Sequence, residues 1–387
     1  MRYNILMLIG IDISMLVYQG SGVANYTYNL VKNLLLYDKK NTYKLFYSSF
    51  RRPKETKEKL KEFKKLGAKV YDFPFPPFLL KLFWNKLHLF PIEWFIGKVD
   101  VFHSSDFLRP PTSKTVKNIT TIHDLTWKLF PQYHTKDVIY AHEKKLEKTI
   151  KYNDEIIVDS ENTKNDLLKL YPQIKEEKVH VIYPGVGEHF RKIEDKKAIE
   201  KVINKYLKSY KLQVTSYMLY VGAIEPRKNL DVAIKVFHKL LNTKYLLLDT
   251  KFLIIGRAGW KNEKIFQLVK DLKIEDKVIF LGYVEDKDLP YFYSGALLTF
   301  YLSSYEGFGL PPLESLACGT PVIAGDNSSM KETLPKEFLV NEKDKEEIYK
   351  KVIEILKLKK LAKIKKDFSW RSYVIKFLEY LLFKGSK

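Results

Sequence analysis

Short apolar runs alternate along this chain with longer stretches in which apolar residues recur every third or fourth position. The runs at Ile5–Ile13, Tyr43–Tyr47, Val70–Asp72, Val99–His103, Asn118–Ile122, Glu155–Val158 and Val179–Tyr183 have the length and β-branched content of buried strands. The amphipathic stretches between them, for example Ala24–Tyr37, Val138–Lys151 and Glu161–Tyr171, predict helices. Strands apolar on both faces, each followed by a helix, build a parallel sheet covered on both sides, the α/β class. The first run is short, ends at Asp12 and has no small-residue cleavage site after it. It reads as a first strand and not as a signal peptide.

The rhythm restarts after Pro184-Gly185-Val186-Gly187 and the Lys/Glu-rich stretch Arg191–Lys211. Strands are predicted at Tyr217–Val221, Phe252–Ile255, Val278–Phe280, Ala296–Tyr301 and Pro321–Ala324, with helices at Leu230–Leu241, Glu263–Leu272 and Pro311–Ala317. Two doubly wound, Rossmann-like domains are expected, 1–190 and 191–370, joined near Pro184–Arg191. In such folds ligands sit beyond the carboxyl ends of the strands, so the expected site is a cleft between the domains. The tail Lys343–Lys387 is Lys-rich with helical periodicity. The segment Phe73–Phe95 carries eight aromatic rings with Lys81 and Lys86 among them. It reads either as a membrane- or acceptor-facing surface or as a loop and helix packed on the first sheet, the commoner fate of an aromatic stripe.

Composition narrows the class. Of the 387 residues 45% are hydrophobic, which excludes a wholly disordered chain. The single cysteine, Cys318, excludes a disulfide framework and a cysteine-built metal site and suits a reducing, cytoplasmic compartment. No stretch approaches the ~20 uninterrupted apolar residues that cross a bilayer. Lys and Arg number 67 against 46 Asp and Glu, a net charge of +21 divided between the halves as +9 and +12. Such a surface suits an anionic partner: nucleic acid, lipid headgroups or a phosphorylated substrate. Genome composition or a hot habitat accounts for it equally well. A nucleic-acid-binding protein is the rival of a different class, but no basic–aromatic RNA-binding motif is present and the charge is diffuse.

The strongest chemical signal is Glu306-Gly307-Phe308-Gly309-Leu310-Pro311-Pro312-Leu313-Glu314, after a strand-like run ending at Ser304. Gly307 and Gly309 let backbone amides approach a ligand, and the prolines suit the first turn of a helix whose free N–H groups attract anions. Glu314, about one turn in, is an acceptor able to hold two ribose hydroxyls.

With its two glutamates separated by seven residues, this segment resembles the signature of the retaining nucleotide-sugar glycosyltransferases of family four (glycosyl transferases group 1), which have the GT-B fold. Other landmarks are similar and in the family's order: Gly10-Ile11-Asp12 with Gly20-Ser21-Gly22, Thr121-Ile122-His123-Asp124, Val158-Asp159-Ser160, Tyr183-Pro184-Gly185, Val221-Gly222 through Arg227-Lys228-Asn229, and Phe368-Ser369-Trp370. The resemblance implies a last helix, 371–387, that returns to the N-terminal domain. It implies an acceptor-binding first domain and a nucleotide-sugar-binding second one. Arg227 and Lys228 are then expected to bind the donor diphosphate, Glu314 the ribose, and Glu306 the donor sugar, with Gly222 and the backbone of Gly307, Phe308, Gly309 and Leu310 nearby. Gly20 and Gly22 let the first loop approach the diphosphate or the acceptor. His123 touches the donor sugar, and Asp124 either orients His123 or caps a helix. His103 is the one other histidine singled out.

The expected reaction transfers a hexose with retention, by same-face attack, needing no metal and no cofactor. The opening loops look most like bacterial mannosyltransferases of surface polysaccharide synthesis. GDP-mannose is therefore the expected donor and a glycan or lipid-linked hydroxyl the acceptor, with UDP-glucose or UDP-N-acetylglucosamine as alternatives. A cytoplasmic enzyme in peripheral contact with the inner face of an anionic membrane, with no nucleic-acid partner, completes the expectation. A UDP-sugar 2-epimerase of the same fold is the nearest rival.

Overall fold

The computed structural model describes residues 6–104, 106–210, 216–247, 249–259, 262–358 and 367–382. The chain divides into two compact units, Met1–Gly185 with Phe368–Lys387, and Val186–Asp367.

The first unit is built on seven parallel strands among the described residues: β1 (Leu8–Asp12), β2 (Thr42–Ser48), β3 (Lys69–Phe73), β4 (Val101–Ser104), β5 (Lys117–Ile122), β6 (Glu155–Val158) and β7 (Val179–Val181). Their order is β3-β2-β1-β4-β5-β6-β7. The period of two sorts their side chains onto two cores. Ile9, Ile11, Leu45 and Tyr47 pack beneath the Gly22–Tyr37 helix, while Phe46 and Phe102 pack on the other face with Trp84, Ile92 and Ile96. β1 is shorter than expected at both ends: Met7 N–H donates to the Asn41 side chain (3.0 Å) and not to a neighbouring strand, and the chain turns at once after Asp12, whose Oδ1 accepts the N–H of Ser14 (2.9 Å). Ile5 lies outside the described residues.

The Trp370–Leu382 helix belongs to this unit. Tyr373, Val374, Phe377 and Leu381 share the core of Leu30 and Leu34, and Lys117 Nζ donates to the carbonyl of Tyr380 (2.9 Å). The chain leaves and re-enters the unit at one spot. A Cβ on Gly185 would lie 2.3 Å from the backbone nitrogen of Trp370, so only glycine fits.

The aromatic segment divides between its two readings. Phe73, Phe75, Phe83 and Phe95 pack against the second core around Trp84, whereas Phe78, Phe90 and Trp94 are exposed.

The second unit holds six parallel strands among the described residues: β8 (Tyr217–Val221), β9 (Lys251–Ile255), β10 (Val278–Gly282), β11 (Thr299–Tyr301), β12 (Val322–Gly325) and β13 (Leu339–Val340), in the order β10-β9-β8-β11-β12-β13. β13 has two residues, too few for a periodic signal, and is held by pairing with β12. In the Lys-rich tail Lys345–Leu358 and Trp370–Leu382 are helical, while 359–366 and 383–387 lie outside the described residues. No helix among the described residues is long and apolar enough to cross a membrane.

Candidate active site

Each sheet reverses its winding between its first and fourth strands, β1 and β4 in one, β8 and β11 in the other. That switch point is where doubly wound sheets open a ligand crevice. In the second unit the loops leaving β8 and β11 are tied together there. Ser304 N–H donates to the carbonyl of Arg227 (2.9 Å). Asn229 Nδ2 donates to Leu302 O and Ser304 Oγ, both at 2.8 Å.

The first loop begins at Gly222, whose N–H bonds Ile255 O (2.9 Å). It ends in the tight turn Pro226–Lys228 and in Asn229, left-handed at φ 49°, before the Leu230–Leu241 helix. This turn aims both cations at the second loop. Lys228 Nζ donates to Glu306 Oε1 and to the Tyr301 hydroxyl (3.2 Å). Arg227 Nη1 donates to the carbonyl of Tyr305 and to Glu306 Oε1 (3.3 Å), and Nη2 to Glu225 Oε1 (2.7 Å). Lys228 and Glu306 are 7% and 9% exposed, so the pair is desolvated. Burial by itself pushes the Glu306 carboxyl up, but Lys228 and then Arg227 outweigh it and bring it down to about 2. Lys228 is lowered, by burial first and with Arg227 adding, despite its carboxylate partner.

The backbone of Glu306 is pinned by two serines. Its N–H donates to Ser328 Oγ and its carbonyl accepts from Ser329 Oγ, both at 3.0 Å. Gly307 and Phe308 are buried behind it. Gly309 takes φ 86°, and a Cβ there would lie 2.1 Å from Met330 Cε. The Leu310–Ala317 helix follows, with Pro311 and Pro312 in its first turn. Because Pro311 and Pro312 carry no N–H, the backbone donors at that anion-attracting end are those of Gly309 and Leu310. Glu314 sits in a different setting from Glu306. Its Oε2 accepts from the Tyr293 hydroxyl (2.9 Å), and burial, then the charge of Asp286, raise it to about 8.

In the first unit Gly20 is exposed at φ 69°. Ser21 Oγ caps the Gly22–Tyr37 helix by accepting Ala24 N–H (3.2 Å). A Cβ on exposed Gly22 meets nothing within 4 Å, so the protein itself does not require glycine there. Ile122 and Val158 are paired across β5 and β6, so the next residue of each strand, His123 and Asp159, stand side by side. His123 Nδ1 bonds Asp159 Oδ2 at 2.6 Å, which leaves Nε2 for a ligand. Burial disfavours the imidazolium, but the Asp159 carboxylate outweighs it and raises the pKa. The ring is also packed edge-on against Tyr26, 4.5 Å between centroids.

Asp124 instead accepts from Thr126 N–H (2.8 Å) and Thr126 Oγ1 (2.6 Å), two residues on, just before the Thr126–Leu129 helix, whose N-cap position is Leu125. Buried His103 bonds Thr121 Oγ1 (2.8 Å), and burial pushes it down to about 3. Beneath His123 lies a cavity of about 20 Å³ lined by Asp106, Thr121, Trp127, His142 and Lys145. Lys145 Nζ donates there to the carbonyl of Thr121 (3.0 Å).

The second unit thus brings Arg227, Lys228 and Glu306 into contact at its switch point. Gly20, Gly22 and His123 belong to the first unit. Sequence reasoning missed Asp159 as the partner of His123, Glu225 as a second carboxylate on Arg227, and Tyr301 on Lys228. The first was within reach, since the residues one past the ends of adjacent parallel strands are neighbours.

Comparison with known proteins bears on the family and the fold. Residues 20–189 match the model described as Glycosyltransferase Family 4, and residues 209–369 match Glycosyl transferases group 1. The O-antigen chain mannosyltransferase B of Escherichia coli is 28% identical over 84% of this chain and 83% of its own length. The O-antigen chain mannosyltransferase RfbU of Salmonella typhimurium is 30% identical over 60% of this chain and 59% of its own length. The crystal structure of Anabaena HepE in complex with UDP and glucose superposes with a TM-score of 0.68 over 97% of this chain and 99% of that one, at 15% identity. Matched along most of its length and built on two doubly wound sheets, the chain belongs to the group 1 glycosyltransferases of the GT-B fold.

Proposed function

We propose that this glycosyltransferase moves mannose from GDP-mannose to a hydroxyl of a glycan or lipid-linked acceptor, with retention at the anomeric carbon and without a metal or other cofactor. The observation that carries the donor assignment is the convergence of Arg227 and Lys228 on Glu306 at the β8/β11 switch point. Two cations held by carboxylates are preorganised, and a diphosphate competes with those carboxylates for the same N–H donors. The choice of mannose rests on relatives named as O-antigen mannosyltransferases.

In the reaction the acceptor oxygen attacks the anomeric carbon as the bond to the β-phosphate oxygen breaks. The electron pair leaves with the phosphate, which takes the acceptor's proton on the same face. Arg227, Lys228 and the backbone N–H groups of Gly309 and Leu310 at the start of the Leu310–Ala317 helix stabilise the charge that develops on the leaving group. Glu314 holds the ribose hydroxyls, and Glu306 and His123 Nε2 contact the sugar. The enzyme works in the cytoplasm at an anionic membrane face, and nucleic acid is not a partner.

A thermal-shift series with GDP-mannose, UDP-glucose and UDP-N-acetylglucosamine tests the donor, because ligand at 100-fold its Kd stabilises by about 2.7 kcal/mol. Stabilisation by a UDP-sugar and none by GDP-mannose overturns the mannose assignment. NMR of the glycosidic product reads the anomeric configuration, an inverted centre excluding the retaining scheme. Activity abolished by EDTA and restored by a divalent cation excludes metal independence.

A further inference from the structure

We infer that the exposed face of residues 77–95 is a docking surface for an anionic lipid bilayer. Within this stretch Phe78, Leu82, Leu87, Leu89, Phe90 and Trp94 are all exposed, Phe78 by 64% and Trp94 by 73%. The face is continuous where contacts define it. Phe78 and Leu82 stand four apart on the helical turns Pro77–Leu80 and Lys81–Leu87. The rings of Phe83, Phe90 and Trp94 follow one another at 5.1 and 5.9 Å. The loop bearing Leu89 and Phe90 begins at His88, whose left-handed φ of 55° ends the Lys81–Leu87 turn, and Phe90 is left-handed as well at 63°. The same segment anchors itself inward through buried Trp84 and Ile92, so the exposed face rests on a rigid support.

The charge pattern selects the occupant. Lys86, within the stretch, and Lys98, three residues past its end, are exposed. Lys81 is paired with Asp137 (2.5 Å). Glu93 is the one acid in the stretch, and its Oε1 is engaged by the N–H of Ser113 (2.7 Å). Tryptophan, phenylalanine and leucine among lysines match an interface of acyl chains under anionic headgroups. A second copy would set lysines against lysines, so self-association through this face is disfavoured.

The test is co-sedimentation of the full chain with vesicles of phosphatidylglycerol and phosphatidylcholine in equal parts, and with phosphatidylcholine alone. Wild type is expected to bind the anionic vesicles preferentially. Its tryptophan emission should move to the blue, since Trp94 is the exposed one of the described tryptophans. The double variant Phe78→Ser/Trp94→Ser should lose about tenfold or more of vesicle affinity and the blue shift, with an unchanged Tm because both side chains are exposed. Lys86→Glu/Lys98→Glu should lose several-fold and show a weaker salt dependence. Equal binding by wild type and the serine variant overturns the inference. So do equal binding to both vesicle types and a dimer in light scattering that the serine variant abolishes. No sugar donor enters the assay, so its failure leaves the donor-site reading standing.

Discussion

The first six strands of each unit share one order, yet the two units place their charge differently. In the second, the two cations and their carboxylates sit at the switch point itself, on the loops after β8 and β11. In the first, β1 ends in the buried carboxylate of Asp12, its loop contains no cation and runs to exposed Gly20 and Gly22, and the histidine–carboxylate pair lies further along the sheet, with His123 after β5 and Asp159 after β6. One topology thus carries a clamp for anions in one copy and an open glycine loop with a histidine–carboxylate pair in the other. Topology decides where a site can form, and loop residues decide what it does.

The largest expected effect breaks the clamp. Lys228→Ala should cost about 2.7–4 kcal/mol of transition-state stabilisation, or roughly 10²–10³-fold in kcat/KM, because one preorganised donor to the leaving group is gone. Steady-state kinetics with the cognate donor checks this, and unchanged kcat/KM removes Lys228 from the machinery.

The two glutamates of the motif should respond to pH in opposite senses. Glu306, held at about 2, contributes stability that is complete above the ordinary carboxylate pKa of ~4.3 and is lost as pH falls toward 2. Glu314, raised to about 8, imposes no cost below ~4.3, an increasing cost as pH rises, and its full cost above 8. In Tm–pH scans Glu306→Gln should flatten the acid limb and Glu314→Gln the alkaline one. Ribose hydroxyls donate to a carboxylate, so nucleotide binding should release a proton from Glu314 and tighten as pH rises toward and through 8. Calorimetry with free nucleoside diphosphate in buffers of different ionisation enthalpy reads that proton, and no release detaches Glu314 from the ribose.

A smaller effect probes the first unit. Asp159 raises the pKa of His123, so Asp159→Asn should shift the imidazole titration to lower pH while leaving the fold intact. NMR of His123 follows it directly. If the imidazolium is the working form, the alkaline limb of kcat/KM moves down in step, which a purely structural role does not produce. The smallest effect is at the glycine loop. Gly22→Ala should leave Tm essentially unchanged, since its Cβ meets nothing, and should weaken ligand binding if a substrate approaches that backbone. Unchanged affinity for donor and acceptor removes Gly22 from the site.

Much of this was legible beforehand for specific reasons. β8, β9, β5 and β6 are apolar runs bounded by polar residues, and the Glu306–Glu314 segment combines glycine, proline and glutamate at spacings that only a loop entering a helix satisfies. Asp159 escaped because its partner lies 36 residues away and is brought to it by strand pairing. The aromatic segment escaped in another way. Burial of Phe73 and Phe75 and exposure of Phe78 and Trp94 depend on which ring the second core admits, and no periodicity encodes that.

Local pattern alone determined every described strand but β13, the doubly wound class, the +21 charge and the cations and acids available for chemistry. Those properties follow from side-chain period and composition, which act between near neighbours in the chain. Tertiary structure decided that Lys228 and Arg227 share Glu306, that Glu314 stands apart against Tyr293, and that Asp159 rather than Asp124 holds His123. Each is a contact between segments distant in sequence, set by strand order and by the desolvation that packing imposes, and charge pairing acquires its strength only after that burial.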